Sequence, residues 1–320
     1  MKGRKFFAGV LAAVLASGLL ACSDGSVTPA ESSLAAVTIE ENEVPLYDKP
    51  MLSNVRIPQA GGTVVYNNNK VELDASNSGQ GYIMIKYSGS NPKIKVQVTK
   101  SGKETYTYDL NAREAYEVFP LSEGDGTYSV KVFENTSGNQ YSQAFSQDLS
   151  VTIADEFTPF LYPNQYVNFS DSSAVVQTGA QIVSGITDPV EVVTAIYNYV
   201  ITNFTYDTAK ASSVKSGYLP EVDTVLAQKK GICFDYASVM TAMLRSQNIP
   251  TKLVVGYTGS VYHAWVNVYI DNVGWVDGMI FFDGHDWQLM DPTFASSGKQ
   301  SKEIMEYIGN ASNYQGKFLY

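Results

Sequence analysis

Two cysteines in 320 residues constrain this chain more than any other feature. Cys22 closes an N-terminal stretch with the anatomy of an export signal. If it is consumed there, Cys233 has no partner for an intrachain disulfide. The fold must then rest on packed side chains rather than cross-links. The composition permits this: 44% of residues are hydrophobic and only 17% are charged, with 22 Tyr and 14 Phe. That suits one large or two ordinary domains with true cores, not a disordered chain.

The first residues carry an address. Lys2, Arg4 and Lys5 precede an apolar run over residues 6–20 that is short for a membrane span. Leu19-Leu20-Ala21-Cys22 matches the cleavage box of bacterial lipoproteins. The expectation is a signal peptide over 1–21, an acylated Cys22 and a lipid-anchored protein on the extracellular face of the membrane. The plainer alternative is an ordinary signal peptide with an incidental cysteine. Residues 22–58, small and polar and then proline-containing, read as tether and linker. Losing Lys2, Arg4 and Lys5 takes the formal net charge from −10 to −13. Such a surface argues against nucleic acid as a partner and against electrostatic docking on anionic lipid.

From 59 to 155 the pattern is β. Strands are predicted over 63–66, 71–73, 82–87, 94–99, 105–110, 116–119, 128–133 and 145–153. In the fourth, Ile94, Val96 and Val98 alternate with Lys95, Gln97 and Thr99. Turn clusters such as Glu123-Gly124-Asp125-Gly126 and Ser137-Gly138-Asn139 separate the strands. Short strands at this spacing predict an immunoglobulin-like β-sandwich. Without cysteine or histidine it reads as a spacer or accessory module.

After 156 the period lengthens, and 156–320 reads as an α+β module with helices first and antiparallel strands after them. Pro189 opens a helix over 190–204 behind Thr187 and Asp188 as caps. A short helix is predicted near 221–229. In the next, Tyr236, Val239, Met240, Met243 and Leu244 form one apolar face, stopped by Asn248 and Pro250. Strands follow over 252–257, 261–270, 275–282 and 287–291.

The chemistry concentrates in this module. Cys233 stands in Gly231-Ile232-Cys233-Phe234-Asp235-Tyr236-Ala237, at a helix start. The helix dipole there favours a thiolate by roughly 0.3–1 kcal/mol. A paired imidazolium must supply most of any activation. Asp235 opposes it as a like charge unless helix N–H groups or a cation take up its carboxylate. His263 alternates with the apolar Tyr262, Ala264, Val266, Val268 and Ile270, so it points away from their face. Asp291 shares one side of its strand with Trp287 and Leu289. If the strands of 263 and 291 are neighbours, Asp291 reaches one ring nitrogen while the other faces Cys233. Each residue also has a plain reading: a buried thiol, a hydrogen-bonded core histidine, an Asp-Pro turn. Nucleophile, base and acid arriving together is the stronger reading.

Gly231-Ile232-Cys233-Phe234-Asp235-Tyr236-Ala237, His263-Ala264-Trp265 and Asp291-Pro292-Thr293 resemble, in that order, the transglutaminase-like superfamily. The stretch from Met243 to Pro250, leading to Val255-Gly256-Tyr257, also resembles its core. The resemblance covers roughly 185–295. It implies a papain-like catalytic domain with Cys233 as nucleophile, His263 as general base and acid, and Asp291 as orienting carboxylate. The 28 residues between His263 and Asp291 exceed the family's usual hairpin, and the strand over 275–282 is expected to fill the gap. The Cys233 N–H is a natural oxyanion donor at a helix start, and Gln228 is a weaker candidate. Trp265 and Trp287, with Trp275, either wall a cleft or belong to the core. His285, between Asp283 and Asp286, reads as a solvated turn rather than a metal site.

The reading implied is a thiol-dependent acyl-transfer enzyme acting on peptide or glutamine amides, a peptidase or amidase first. The alternatives are a transamidase that cross-links proteins and a non-catalytic surface module binding peptide or glycan. No metal or organic cofactor is expected. The expected partners are a protein or peptide substrate, such as a cell-wall or surface protein, and the membrane through the Cys22 lipid.

Overall fold

The computed structural model describes residues 55–270, 274–276, 280–282, 287–289 and 313–320. Its first part is all β: β1 (Val65–Asn67), β2 (Val71–Asp74), β3 (Tyr82–Tyr87), β4 (Ile94–Lys100), β5 (Thr105–Asp109), β6 (Tyr116–Pro120), β7 (Gly126–Ser137) and β8 (Gln140–Val151). They form two antiparallel four-stranded sheets, ordered β1-β2-β3-β6 and β5-β4-β7-β8. Alternation sets the inside: Ile94, Val96 and Val98 of β4 and Tyr106 and Tyr108 of β5 are buried, and their neighbours are not. The hairpin of β7 and β8 runs longer than its apolar residues indicate. Gly138, at a φ of 53°, closes its turn.

The second part begins with α1 (Ala174–Ile182), α2 (Pro189–Asn203), β9 (Thr205–Tyr206), α3 (Thr208–Ser213), α4 (Val222–Gln228), β10 (Lys230–Gly231) and α5 (Cys233–Ser246). It continues with β11 (Thr251–Thr258), β12 (Val261–Ile270), β13 (Gly274–Val276), β14 (Ile280–Phe282), β15 (Trp287–Leu289) and β16 (Tyr314–Leu319). Helices thus precede antiparallel strands, and the α+β reading of this part holds. Asp188 caps α2 as expected, its carboxylate accepting from the Val190 and Glu191 N–H groups at 2.8 and 3.1 Å. Asn248, at a φ of 61°, and Pro250 end α5.

Several features depart from the sequence expectation. Helix α5 is not amphipathic in its surroundings, for every residue from Asp235 to Ser246 is buried. It lies between α1, α2 and α4 on one side and β11 and β12 on the other, so Ser238, Thr241 and Arg245 are covered as well. The strand expected over 275–282 is two short strands with different partners. β13 pairs with β12, and β14 pairs with β15. The main sheet is ordered β13-β12-β11-β16, so the described residues of β15 do not lie beside the strand of His263. The edge strand β16 carries no strong sequence signal, alternating as it does through Gly316 and Lys317.

One hydrophobic core runs through both parts. Tyr320 packs edge-on against Tyr106 and Tyr108 of the β sheets and tilts against Tyr166. The Ser122 hydroxyl donates to the Leu319 carbonyl at 2.6 Å, and the Leu319 N–H donates to the Tyr106 hydroxyl at 3.0 Å. The fully buried Arg245 guanidinium donates to the carbonyls of Tyr162, Thr251 and Tyr320, at 2.5, 2.9 and 2.6 Å. Burial pushes it down to about 9, so it stays charged at neutral pH.

The β sheets also set an acid limit on stability. Glu134 accepts hydrogen bonds from the Tyr87 hydroxyl and from Lys70 at 2.9 Å. These bonds, the tyrosine's first, hold its carboxyl below the ordinary 4.5. A carboxyl depressed in the folded state stabilises fully above its unfolded value and loses that contribution as pH falls through the folded value. Wild type is expected to lose stability to urea below pH 4.5 more steeply than Glu134→Gln. Parallel slopes for the two proteins between pH 5 and 3 would show that this bond does not matter.

Candidate active site

The approach to Cys233 is built by short-range backbone constraints. Lys229 ends α4 in the left-handed region, at a φ of 49°. β10 then pairs in parallel with β9, and the Asp207 N–H donates to the Gly231 carbonyl at 2.8 Å. Ile232 is extended and Cys233 is the first helical residue. The thiol is free and half-buried, against the edge of the core.

Asp235 does not act on Cys233 as a bare charge. Its carboxylate is fully buried, and three donors replace its water. The Ile232 N–H donates at 2.8 Å, closing the helix start. Lys210 of α3 donates at 2.6 Å and the Tyr218 hydroxyl at 2.5 Å, and the two also meet each other at 2.6 Å. Burial, and then the bond to Asp235, pushes the Tyr218 phenol far above the usual tyrosine range, so it remains a donor. Gly231 makes this possible. A Cβ there would sit 2.5 Å from the Asp235 Cβ and 2.8 Å from its Oδ2. Lys210 and Tyr218 escaped the sequence reading, which asked for a cation near Asp235 without a way to name one.

His263 is the third residue of β12 and is buried, at 5% exposure. As expected, it lies on the face opposite Ala264, Val266 and Val268, which join the core. That opposite face is covered too. The His263 ring stacks on Trp265 at 6.2 Å between centroids, and Trp265 meets Tyr314 edge-on at 5.3 Å. Across the ladder His263 faces Gly256, where a Cβ would sit 2.0 Å from the Gln315 carbonyl oxygen. The glycine lets β16 close on β11 at the bulge beside His263.

Helix α5 packs on β12. The Tyr262 phenol, next to His263, is pushed up by burial of its hydroxyl, then by Tyr257 and by the Cys233 thiol. The thiol therefore lies toward Tyr262, and His263, one residue on, stands on the other face of β12, away from α5. Gln228 is exposed at the end of α4. Trp275 is half-buried under Lys252, whose Nζ lies 3.5 Å from the ring centroid, and it meets Phe160 edge-on, which makes it part of the packing. Trp287 lies in β15, of which the strand pairing alone is described. Asp291, His285 and Cys22 lie outside the described residues. Among the described residues, no group of three or more His, Cys, Asp or Glu is placed to hold a metal ion.

Residues 176–278 match the family described as the transglutaminase-like superfamily. The chain carries a domain of that superfamily. The matched segment contains Cys233 and His263 and stops short of Asp291. Members of the superfamily are generally catalytic, as proteases or transglutaminases. The uncharacterized protein YebA of Bacillus subtilis (strain 168) is 26% identical over 198 residues, 54% of this chain and 26% of that protein. The chain thus spans about a quarter of the length of that curated relative. Among solved structures, the periplasmic domain of TgpA from Pseudomonas aeruginosa overlaps 78% of this chain and 80% of its own, at 15% identity and a TM-score of 0.34. Red sea bream transglutaminase overlaps 66% and 48%, at 15% identity and a TM-score of 0.27. The family assignment rests on the sequence of residues 176–278.

The geometry at Gly231 gives a direct expectation. In Gly231→Ala the added methyl must displace Asp235, an overpacking that costs typically 1–3 kcal/mol. The melting temperature is expected to fall by several degrees, and the alkylation rate of Cys233 to change with it. A melting temperature within one degree of wild type, with an unchanged alkylation rate, would show that the turn has slack.

Proposed function

We propose that this protein is a thiol-dependent acyl-transfer enzyme acting on peptide or glutamine amides, with water as the principal acceptor. The carrying observation is the free, half-buried Cys233 at the first residue of α5, in a superfamily domain, with the adjacent acid already paired. In this reading Cys233 is the nucleophile, His263 the base and then the acid once its ring turns from the far face of β12 toward the thiol, and Asp291 the carboxylate that orients the imidazole.

The Cys233 sulfur attacks the amide carbonyl carbon while His263 holds the thiol proton. The C–N bond breaks as His263 passes that proton to the departing amine, leaving a thioester. Water, deprotonated by His263, then attacks the thioester carbonyl, and the thiol is regained with release of the acid. The Cys233 N–H, unpaired within the helix as the first N–H groups of any helix are, is the backbone donor we assign to the oxyanion. Gln228, exposed at the end of α4, is a poorer candidate. Trp265, stacked on His263, is read as a positioning residue for the ring. We read the two N-terminal sheets as an immunoglobulin-sized sandwich packed on the enzyme, and Cys22 as the lipid attachment that holds the protein outside the cell.

The test is the rate of iodoacetamide modification of the chain from Ser23 onward at pH 6. A Cys–His pair predicts a rate at least tenfold lower in His263→Ala than in wild type. Equal rates would remove the pair and the enzyme reading with it. Asp291→Asn is expected to lower hydrolytic activity sharply with little change in the melting curve. A collapse of the melting curve would instead make Asp291 a structural residue.

A further inference from the structure

The β11–β12 hairpin carries apolar surface where a soluble fold has no structural use for it. Seven large hydrophobic residues are exposed among the described residues, and three of them, Tyr257, Val261 and Tyr262, fall on this one hairpin. Tyr257 and Tyr262 are direct cross-strand partners, and their rings meet edge-to-face at 5.5 Å. No residue from 257 to 262 carries a charge at neutral pH. Tyr262 is 58% exposed and lies on the same side of β12 as Ala264 and Val266. That is the side on which α5, beginning at Cys233, packs.

Two constraints identify the occupant. Arg245, near the C-terminal end of α5, bonds the Thr251 carbonyl at the start of β11, so the Cys233 end of the helix lies toward the other end of the hairpin, where these rings are, and an extended acyl donor held at the sulfur reaches across them. The surface is uncharged and aromatic, and an edge-to-face pair leaves an open ring face on which a flat apolar group can stack. We propose that Tyr257 and Tyr262 form a subsite that binds an apolar, preferentially aromatic side chain of the acyl donor, next to the carbonyl attacked by Cys233. The inference rests on the acyl-transfer reading and adds its specificity: amides flanked by aromatic residues are the preferred substrates, and amides flanked by glycine are poor ones.

Alkylation of Cys233 by acetyl-phenylalanyl chloromethyl ketone, by its acetyl-glycyl counterpart and by iodoacetamide separates the two claims. In each case the sulfur displaces halide from a methylene carbon. Only the first reagent offers an aromatic side chain. Wild type is expected to prefer the phenylalanyl over the glycyl reagent by at least tenfold. That ratio should fall at least fivefold in Tyr262→Ser and in Tyr257→Ser, and persist in Tyr262→Phe, which keeps the ring. A wild-type ratio near one, or a ratio retained in both serine variants, overturns the subsite while a fast iodoacetamide reaction leaves the thiol chemistry standing. An iodoacetamide rate at pH 6 that does not depend on His263 overturns the acyl-transfer reading and the subsite together.

Discussion

A carboxylate with no exposed surface needs neighbouring groups to take the place of water, and Asp235 has three that do. The Ile232 N–H, Lys210 and Tyr218 converge on its two oxygens. Together they fix the first turn of α5, and with it the position of Cys233. Removing one partner from a buried ion pair costs about 3–5 kcal/mol because the remaining charge is stranded. The half-exposed Lys210 places this site toward the lower end of that range. The constraint reaches outward to α3, which supplies the lysine, to the loop of Tyr218, and to Gly231, which has to lack a side chain. The thiol is thus set by a network formed over 26 residues of chain rather than by its own helix alone.

The second constraint is the absence of a break between the two parts of the molecule. Arg245, on the helix that begins at Cys233, binds the carbonyls of Tyr162 and Tyr320. Tyr320 packs against Tyr106 and Tyr108 of the β sheets, and Ser122 holds the Leu319 carbonyl. The strand that carries Leu319 borders β11, which in turn borders the strand of His263. The β sheets therefore brace the far edge of the sheet on which the candidate base stands. A buried guanidinium bonded to three carbonyls is costly to strip of any one partner. It couples α5, the segment around Tyr162 and β16 into one unit.

How much of this was legible in the sequence depended on how local each cause is. The strands β3 and β4, helix α2 with its Asp188 cap, and the full extent of β12 follow from alternation, capping and breakers within a few residues. Helix α1 was not legible because its start has no cap of its own. The Ala174 and Val175 N–H groups are satisfied by Asp223, 49 and 48 residues away on α4. β16 needs β11 as a template, and its glycine and lysine dilute any strand pattern. The split of 275–282 into two strands with different partners is a pairing decision that no run of side chains encodes. At the site, Cys233, Gly231 and His263 were readable from residue type and place. Lys210, Tyr218 and the exposed tyrosine pair were not, because only the fold brings Lys210 and Tyr218 to Asp235 and leaves Tyr257 and Tyr262 uncovered.

The central claim is that Cys233 and His263 act as a pair. The chain holds only two histidines, His263 and His285, so the imidazole spectrum is simple and His285→Gln assigns it. The decisive measurement is a carbon-13 titration of the His263 ring in the otherwise wild-type chain and in Cys233→Ala. The account predicts a midpoint that moves down when the thiol is removed, because a paired thiolate stabilises the imidazolium. A midpoint that is the same in both proteins would contradict it.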